Sequence, residues 1–458
     1  MPLRILSRPE HAVSRKDIDP DALKVLYRLK NHGYLAYLVG GGVRDLLVGR
    51  KPKDFDIGTS AHPQQVKKLF RNCFIVGRRF RLCHVRFGRK VIEVSTFRRL
   101  AEAEEGDTLI RRDNTFGTPE EDAFRRDFTV NALFYDIATF AVIDYVEGLE
   151  DLGRRLIRTI GDPSVRFRED PVRMLRAVAI AARLGFTIER DTLEAIRALR
   201  GDIVKSSPAR LLDEIYKILR QGASRKTFEM LQQVGLLAYL LPEAADALAD
   251  EQGGERLLGS LGRLDDYRNA GLAGPDDLTS PLLMGTLLVP LGLPLRRAVA
   301  AAPRPDPGDP REVPIDVVGE MEALGADFEE PAPSPTAAPV LVPLPFARRD
   351  ADRLRLILAA QSRLREVHTS PRVKHLLAGR GYLEEALRWL EIHGGVQGQE
   401  LAADWRALQL DETMGPAPEA PEPADGASPP EARRPRRRRR RRRGPGPGKP
   451  PASRPPES

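Results

Sequence analysis

Cysteine is nearly absent from this chain, with Cys73 and Cys83 the only two among 458 residues. So few thiols exclude a disulfide scaffold and redox chemistry, and both are read as reduced packing residues. No stretch approaches the length of a membrane span, and Met1 to Arg8 lack the apolar run of a signal peptide. The expectation is a cytoplasmic protein that engages no membrane. Nothing resembles a zinc site, a nucleophilic Ser or Cys triad, or a Walker loop. Tryptophan is as scarce as cysteine, and Trp389 and Trp405 read as helix-packing residues.

Charge is what the chain has in abundance, and it is segregated. The formal net charge of +8 divides into +11 over residues 1–240, −13 over 241–430 and +10 over 431–458. A basic front and a basic tail point to a polyanion held at two places. The tail runs through Arg433, Arg434 and an unbroken series from Arg436 to Arg443. Self-repulsion at that density forbids a packed core, so residues 411–458 are expected to be disordered until bound.

The length allows two to four domains. Residues 17–32 carry Ile18, Leu23, Leu26 and Leu29 near helical spacing and stop around Gly33. Tyr34 to Val39, Phe55 to Gly58, Phe74 to Val76, Arg81 to Phe87 and Val91 to Phe97 read as short strands. Together they predict an α+β head, a small mixed sheet with flanking helices, over residues 1–160. From Asp170 the pattern becomes helix after helix: Pro171 to Leu184, Thr192 to Leu199, Ala209 to Leu219 and Lys226 to Leu240. This gives an all-α neck over 161–250 and a body over 251–410, the body interrupted by an extended Pro-rich insertion around 301–345.

The chemistry centres on Asp54 and Asp56. Residues two apart on a strand point the same way, so both carboxylates are expected to face one pocket and to share divalent metal. Two-metal transfer uses such carboxylates to activate the attacking hydroxyl and to neutralise a triphosphate, and it usually wants a third. Glu93 fits geometrically, because Ile92 and Val94 turn to the opposite face; Asp127 is the other candidate. The competing account of either is an ion pair with a neighbouring arginine. The turn Gly40-Gly41-Gly42 lets backbone N–H groups approach phosphate oxygens, the helix start that follows adds positive potential, and Arg44 supplies a pairing fork. Arg126 is placed to meet phosphates and Asn131 a ribose.

Glu169-Asp170-Pro171-Val172-Arg173 opens a helix, and capping alone explains much of it. A carboxylate and a guanidinium three residues apart also share a helix face and can read a base edge. Asp170 would accept from an exocyclic amino group while Arg173 donates to the adjacent ring nitrogen. Adenine and cytosine present that pair of groups, so the motif points to ATP, or to ATP and CTP, without a template. His84 reads as a strand-surface residue, since metal chemistry needs no further acid or base.

Gly40-Gly41 with Val43-Arg44-Asp45, Asp54-Phe55-Asp56, Arg125-Arg126-Asp127-Phe128 with Asn131-Ala132, and Glu169-Asp170-Pro171 with Arg173 resemble successive motifs of the class II nucleotidyltransferases. That superfamily contains the tRNA CCA-adding enzymes and the bacterial poly(A) polymerases. The resemblance covers residues 35–240. The stretch from Ile75 to Val85, with Arg78 and Arg79 expected to touch RNA, is similar to the one that separates the poly(A) polymerases from their tRNA-maturing relatives. Leu344 to Arg349, the later helices and the arginine-rich end are similar too. The resemblance implies two Mg²⁺ ions, ATP as substrate, RNA 3′ ends as partner, a monomer, and RNA-degradation machinery nearby. It places catalytic carboxylates at Asp54 and Asp56, with a third at Glu93 or Asp127, and nucleotide contacts at Gly40, Gly41, Arg44, Arg126, Asn131, Asp170 and Arg173. Arg436, Arg437, Arg438, Arg439 and Arg440 in the tail would clamp phosphates.

Residues 241–340 depart from the pattern, with acid and proline where more helix is expected. At Ala179 relatives often carry a basic residue, and Gly42 stands where they often carry a larger one. The expected activity is template-independent addition of AMP to RNA 3′ ends. The rival activity is addition of all or part of CCA to tRNA; the rival of another class is a silent RNA-binding adaptor, against which the intact acidic set speaks.

Overall fold

The computed structural model describes residues 3–77, 81–88, 90–99, 115–274, 277–292, 344–366, 377 and 379–414, with side chains as far as residue 408. Two units are distinguished, Met1–Gln409 and Leu410–Ser458. The second is described only to Met414, where its residues end a helix.

Strands β1 (Arg4–Leu6), β2 (Ala36–Val39), β3 (Asp56–Thr59), β4 (Cys73–Val76), β5 (Leu82–Phe87), β6 (Lys90–Thr96), β7 (Leu133–Asp136) and β8 (Ala141–Asp144) form one mixed sheet. Their order is β1-β8-β7-β2-β3-β6-β5-β4. The pairing of β3 with β6 is parallel, Ile57 opposite Val94, and the other pairings are antiparallel. Helices α1 (Pro20–Asn31), α2 (Gly41–Leu47), α3 (Pro63–Leu69), α4 (Pro119–Phe124) and α5 (Gly148–Arg154) flank it. The start of α1 is set locally: Asp19 accepts from the Asp21 and Ala22 amides, with Pro20 at the first position.

The sheet has two unlike faces. Leu38 and Ile57 lie opposite each other across β2 and β3, and with Val85, Ile92 and Val94 they join Val25, Leu26 and Leu29 of α1 in the main core. The other face holds a small aromatic core of Val39, Phe97, Ala132 and Phe134. Val39 opposes Asp56, so the residue singled out for catalysis belongs to this second face. Gly58 follows two residues on, where a Cβ would stand 2.6 Å from the Phe97 ring and 3.0 Å from Val39.

Beyond the sheet, β9 (Leu156–Ile157) and β10 (Thr187–Ile188) pair in parallel. Helices α6 (Pro163–Glu169), α7 (Val172–Leu184), α8 (Arg190–Leu199), α9 (Pro208–Arg220), α10 (Ser224–Gln233), α11 (Leu237–Leu240), α12 (Pro242–Ala249) and α13 (Glu251–Asn269) follow. Then come α14 (Ser280–Leu288), α15 (Arg348–Arg365), α16 (Leu383–His393) and α17 (Gly395–Met414). The main core continues into α7, α9 and α10 through Leu175, Val178, Ile215 and Phe228, so the neck packs directly on the head. A separate core holds Leu356, Ile357, Leu387, Trp389 and Trp405, and the Trp405 indole N–H donates to the Leu364 carbonyl. Cys73 and Cys83 are buried and unbridged.

The architecture is the expected mixed-sheet head followed by helices, with four differences in detail. The expected strand at Phe55 begins only at Asp56, leaving Asp54 in the exposed preceding loop. Strand alternation therefore does not orient Asp54. The single helix expected over Lys226 to Leu240 is two, because the chain turns at Gly235. Residues 242–269 and 280–288, expected to fit poorly, are helical. Strands β1, β7 and β8 were not legible as such; each is three or four residues long. Most of the Pro-rich insertion and the tail from 415 lie outside the described residues.

Gly58→Ala is expected to destabilise the protein by about 1–3 kcal/mol, since the added methyl must displace an aromatic ring in a packed layer. A denaturant midpoint equal to that of the wild type would show that this face is not close-packed.

Candidate active site

Glycine at position 40 is a structural requirement. The strand β2 ends at Val39, and Gly40 turns with φ of 74° and ψ of −139°, closed to ordinary side chains. A Cβ there would stand 3.1 Å from Nη1 of Arg126, so the missing side chain is what lets that guanidinium lie over the turn. Arg126 is held in place from several sides. Its Nε and Nη2 donate to Asp122 at 3.2 and 2.9 Å, its Nη1 donates to the Asn131 carbonyl at 3.2 Å, and it lies over the Phe134 ring.

Next to this cation sit the carboxylates. Asp56 is pushed up to about 7, first by burial and then by the charges of Glu93 and Asp54, against the opposing pull of Arg126 and Arg176. Glu93 is raised as well, by burial and by Asp54, with Lys217 and Arg98 opposing. The parallel register of β3 with β6 places Glu93 level with Asp56 on the same face, and the nearest basic group across β5 is His84 at 3.6 Å. Three mutually repelling hard oxygen donors are short of positive charge, which is the chemistry that suits a divalent cation such as Mg²⁺. Among the described residues no three acidic, imidazole or thiol groups converge tightly enough to enclose an ion by themselves. The donor set fits a metal whose remaining positions are filled by oxygens from elsewhere.

Asp127 stands apart from that set. Its carboxylate accepts from the Phe128 amide at 2.8 Å and from the Asn131 side chain at 3.1 Å, and pairs with Arg176 at 2.7 Å. These partners hold it below the ordinary carboxylate range despite complete burial. Its cation is a neck residue, not the adjacent Arg125 or Arg126. Arg44 differs from expectation in the same way. It is 4% exposed, donates through Nε and Nη2 to Asp45 at 2.9 and 2.8 Å, and reaches the Asn131 side-chain oxygen through Nη1. Arg44 and Asn131 both direct these polar groups to partners inside the protein.

At the junction of α6 and α7, Asp170 accepts from Arg210 at 2.9 Å through Oδ2, while its Oδ1 is buried with no hydrogen-bond partner among the described residues. Arg173 spends Nη1 on the Arg166 carbonyl at 3.0 Å and on Glu169 at 3.1 Å. Their side chains do not bond to each other, and the Arg173 amide donates to the Asp170 carbonyl at 3.1 Å. An orphaned acceptor beside a guanidinium with N–H groups to spare is an arrangement suited to a ligand carrying a donor and an acceptor side by side. Gly41 lies in the first turn of α2, within 3.2 Å of Arg44 if a Cβ is added. Arg78, Arg79 and Arg436 to Arg440 lie outside the described residues.

Several site residues were not singled out from sequence. Asp122 anchors Arg126; Arg166 donates to the Arg125 and Arg126 carbonyls at 2.7 Å each. Arg176, Arg183 and Lys217 bring neck charges to the head's carboxylates, and Arg210 pairs with Asp170 within the neck. Arg176 and Arg183, seven residues apart on a helix, share a face with Arg173 and Ile180, a spacing that was available. Their partners, forty or more residues away, were not.

Residues 36–158 match the family described as "Poly A polymerase head domain", and residues 185–248 match "Probable RNA and SrmB- binding site of polymerase A". Over 249 residues the chain is 53% identical to poly(A) polymerase I of Salmonella typhi, which covers 52% of this chain and 54% of that protein. It is 40% identical over 220 residues to a CCA-adding enzyme of Bacillus velezensis, covering 48% of this chain and 55% of that one. The chain thus spans about half the length of the curated relatives it matches. A crystal structure of the Bacillus stearothermophilus CCA-adding enzyme in complex with CTP superposes with a TM-score of 0.52 over 87% of this chain and 89% of that one, at 27% identity. Glycine turn, acidic strand and α6–α7 junction all fall within or between the matched segments, and over residues 36–248 this chain is similar to poly(A) polymerases and, at lower identity, to CCA-adding enzymes.

Proposed function

We propose that the protein adds AMP from ATP to RNA 3′ ends without a template and releases pyrophosphate. The observation that carries this reading is the contrast between the carboxylates. Asp127, Asp122 and Asp45 are satisfied by arginines, whereas Asp54, Asp56 and Glu93 are left to repel one another, with Arg126 beside them. Mg²⁺ bound there would supply Lewis acidity for the attacking hydroxyl and for the leaving pyrophosphate. Asp54 and Asp56 would hold the ions, and Glu93 is the third carboxylate in preference to Asp127. Arg126 would steady triphosphate oxygens over Gly40. Asp170 would accept from the exocyclic amine of adenine through its unpartnered oxygen, and Arg173 would donate to the neighbouring ring nitrogen. Arg44, Asn131 and Asp127 are positioning residues in this reading.

A catalytic head over 1–160, a neck over 161–250, a body over 251–410 and a basic tail that clamps phosphates are part of the same proposal, as are a monomeric state and a cytoplasmic location. No helix among the described residues is long and apolar enough to cross a membrane. RNA-degradation machinery as a partner rests on family resemblance alone. Addition of CCA to tRNA is the second reading, favoured by the likeness to CCA-adding enzymes.

Labelled ATP and CTP, offered separately with Mg²⁺ to an unstructured RNA oligomer and to a tRNA lacking its 3′ end, decide between them. Long A-tracts on the oligomer are expected; addition of one to three nucleotides to tRNA alone would give the second reading. Asp56→Asn should reduce incorporation on the order of a thousandfold or more while RNA binding persists, because a neutral amide no longer holds a cation. Retained turnover in that variant overturns the carboxylate assignment. Asp170→Asn should cut the preference for ATP over GTP by about 1–3 kcal/mol, the value of one good pair of base contacts, visible in competition assays.

A further inference from the structure

A cavity of about 610 Å³ lies at the end of β3 remote from Asp56 and shares no residue with the carboxylate cluster. Its aromatic wall is the pair His62 and Phe116, ring centroids 4.2 Å apart and inclined at 63°. Ile75 extends that wall, Gln64 adds an amide, and Lys67 and Arg81 supply two positive charges. No acidic side chain is among the described residues that line it, and neither cation makes an ion pair among the described residues. Arg81 has a φ of 42°, a backbone strain that persists where the surroundings hold a side chain in place. Ile75 and Arg81 come from the stretch that separates the two activities by resemblance, and in this fold they line this cavity instead of the carboxylate cluster.

We propose that this cavity is a second nucleotide site, with the base against the His62–Phe116 wall and the phosphate between Lys67 and Arg81. A flat ring system stacks on an aromatic face whatever its sequence, and an anion answers two cations that have no acidic neighbour among the described residues. A nucleotide upstream of an RNA 3′ end would occupy the cavity while the end itself lies at the carboxylates. The same chemistry would also hold free ATP. The assignment of the ligand to RNA rests on the proposed adenylyl transfer; the nucleotide site does not.

The test uses the full chain, a fluorescent single-stranded oligo(A), and ATP. The double variant Lys67→Ala with Arg81→Gly removes both cations, and glycine adopts the backbone of Arg81 without strain. Its affinity for oligo(A) is expected to fall about tenfold, and the slope of log affinity against log salt by about 0.7, for the one phosphate held between them. Phe116→Leu should weaken binding several-fold with the slope unchanged, as loss of stacking alone predicts. ATP incorporation at saturating primer should stay within twofold of wild type in both. Loss of one class of ATP site with oligo(A) binding unchanged would keep the nucleotide site and assign it to free nucleotide. Unchanged binding of both ligands in folded variants, checked by circular dichroism, overturns it. A wild type that binds through these residues but transfers no AMP would sink the proposed activity and leave the site standing.

Discussion

A chain of buried opposite charges runs from the neck through the glycine turn and back to the neck, and the geometry of everything else depends on it. Arg183 of α7 reaches Asp45 at 3.2 Å; Asp45 takes Arg44; Arg44 reaches Asn131; Asn131 donates to Asp127; and Asp127 pairs with Arg176, again on α7. The inner links at Arg44, Asp45 and Asp127 are nearly withdrawn from water, while Arg183 and Arg176 at the ends are partly exposed, so the chain contributes little net stability, and loss of an inner member leaves a buried charge uncompensated at a cost of about 3–5 kcal/mol. What it supplies is registration. α2, the turn Thr129–Asn131 and α7 are locked as one frame, and the α6–α7 junction with Asp170 and Arg173 moves only if that frame moves. Arg166 adds a second tie, from α6 to two backbone carbonyls after α4.

Against that frame the catalytic candidates stand out by what they lack. Asp127 and Asp56 are the same residue type, both near the same arginine, yet one is held below the usual carboxylate range and the other is raised to about 7. Hydrogen-bond donors and a direct ion pair make the difference at Asp127; two neighbouring carboxylates make it at Asp56. Groups left in mutual repulsion on a rigid sheet are groups kept for a ligand. The orphaned Oδ1 of Asp170 is the same device in hydrogen-bonding terms, 114 residues further along. Under the proposed function, both deficits would be met by parts of one nucleoside triphosphate with its metal.

Local rules read well where the determinants are local. α1 is announced by Asp19 and Pro20, α7 by Pro171 and Gly185, and the alternation of Ile92, Glu93 and Val94 places Glu93 on the site face. They read poorly for β7 and β8, four residues each, whose place in the sheet comes from pairing with β2 and β1. They did not show the protein partners of Arg44 and Asn131: from sequence an arginine behind a glycine turn looks available for phosphate, and its contact with Asn131, 87 residues on, is set by the fold.

The sequence by itself determined which residues are candidates for chemistry: an acidic pair after a glycine turn, a carboxylate and guanidinium at one helix start, and a basic surplus. Those are properties of residue type and short spacing, and they survive without coordinates. Only the tertiary structure decided which of these groups are free. Whether a carboxylate binds metal or an arginine, and whether an arginine meets phosphate or asparagine, depends on which distant charge arrives first. Here α7 and α9 deliver those charges from far along the chain, to Asp127 through Arg176, 49 residues on, and towards Glu93 through Lys217, 124 residues on, and leave Asp54 and Asp56 without a direct pair among the described residues.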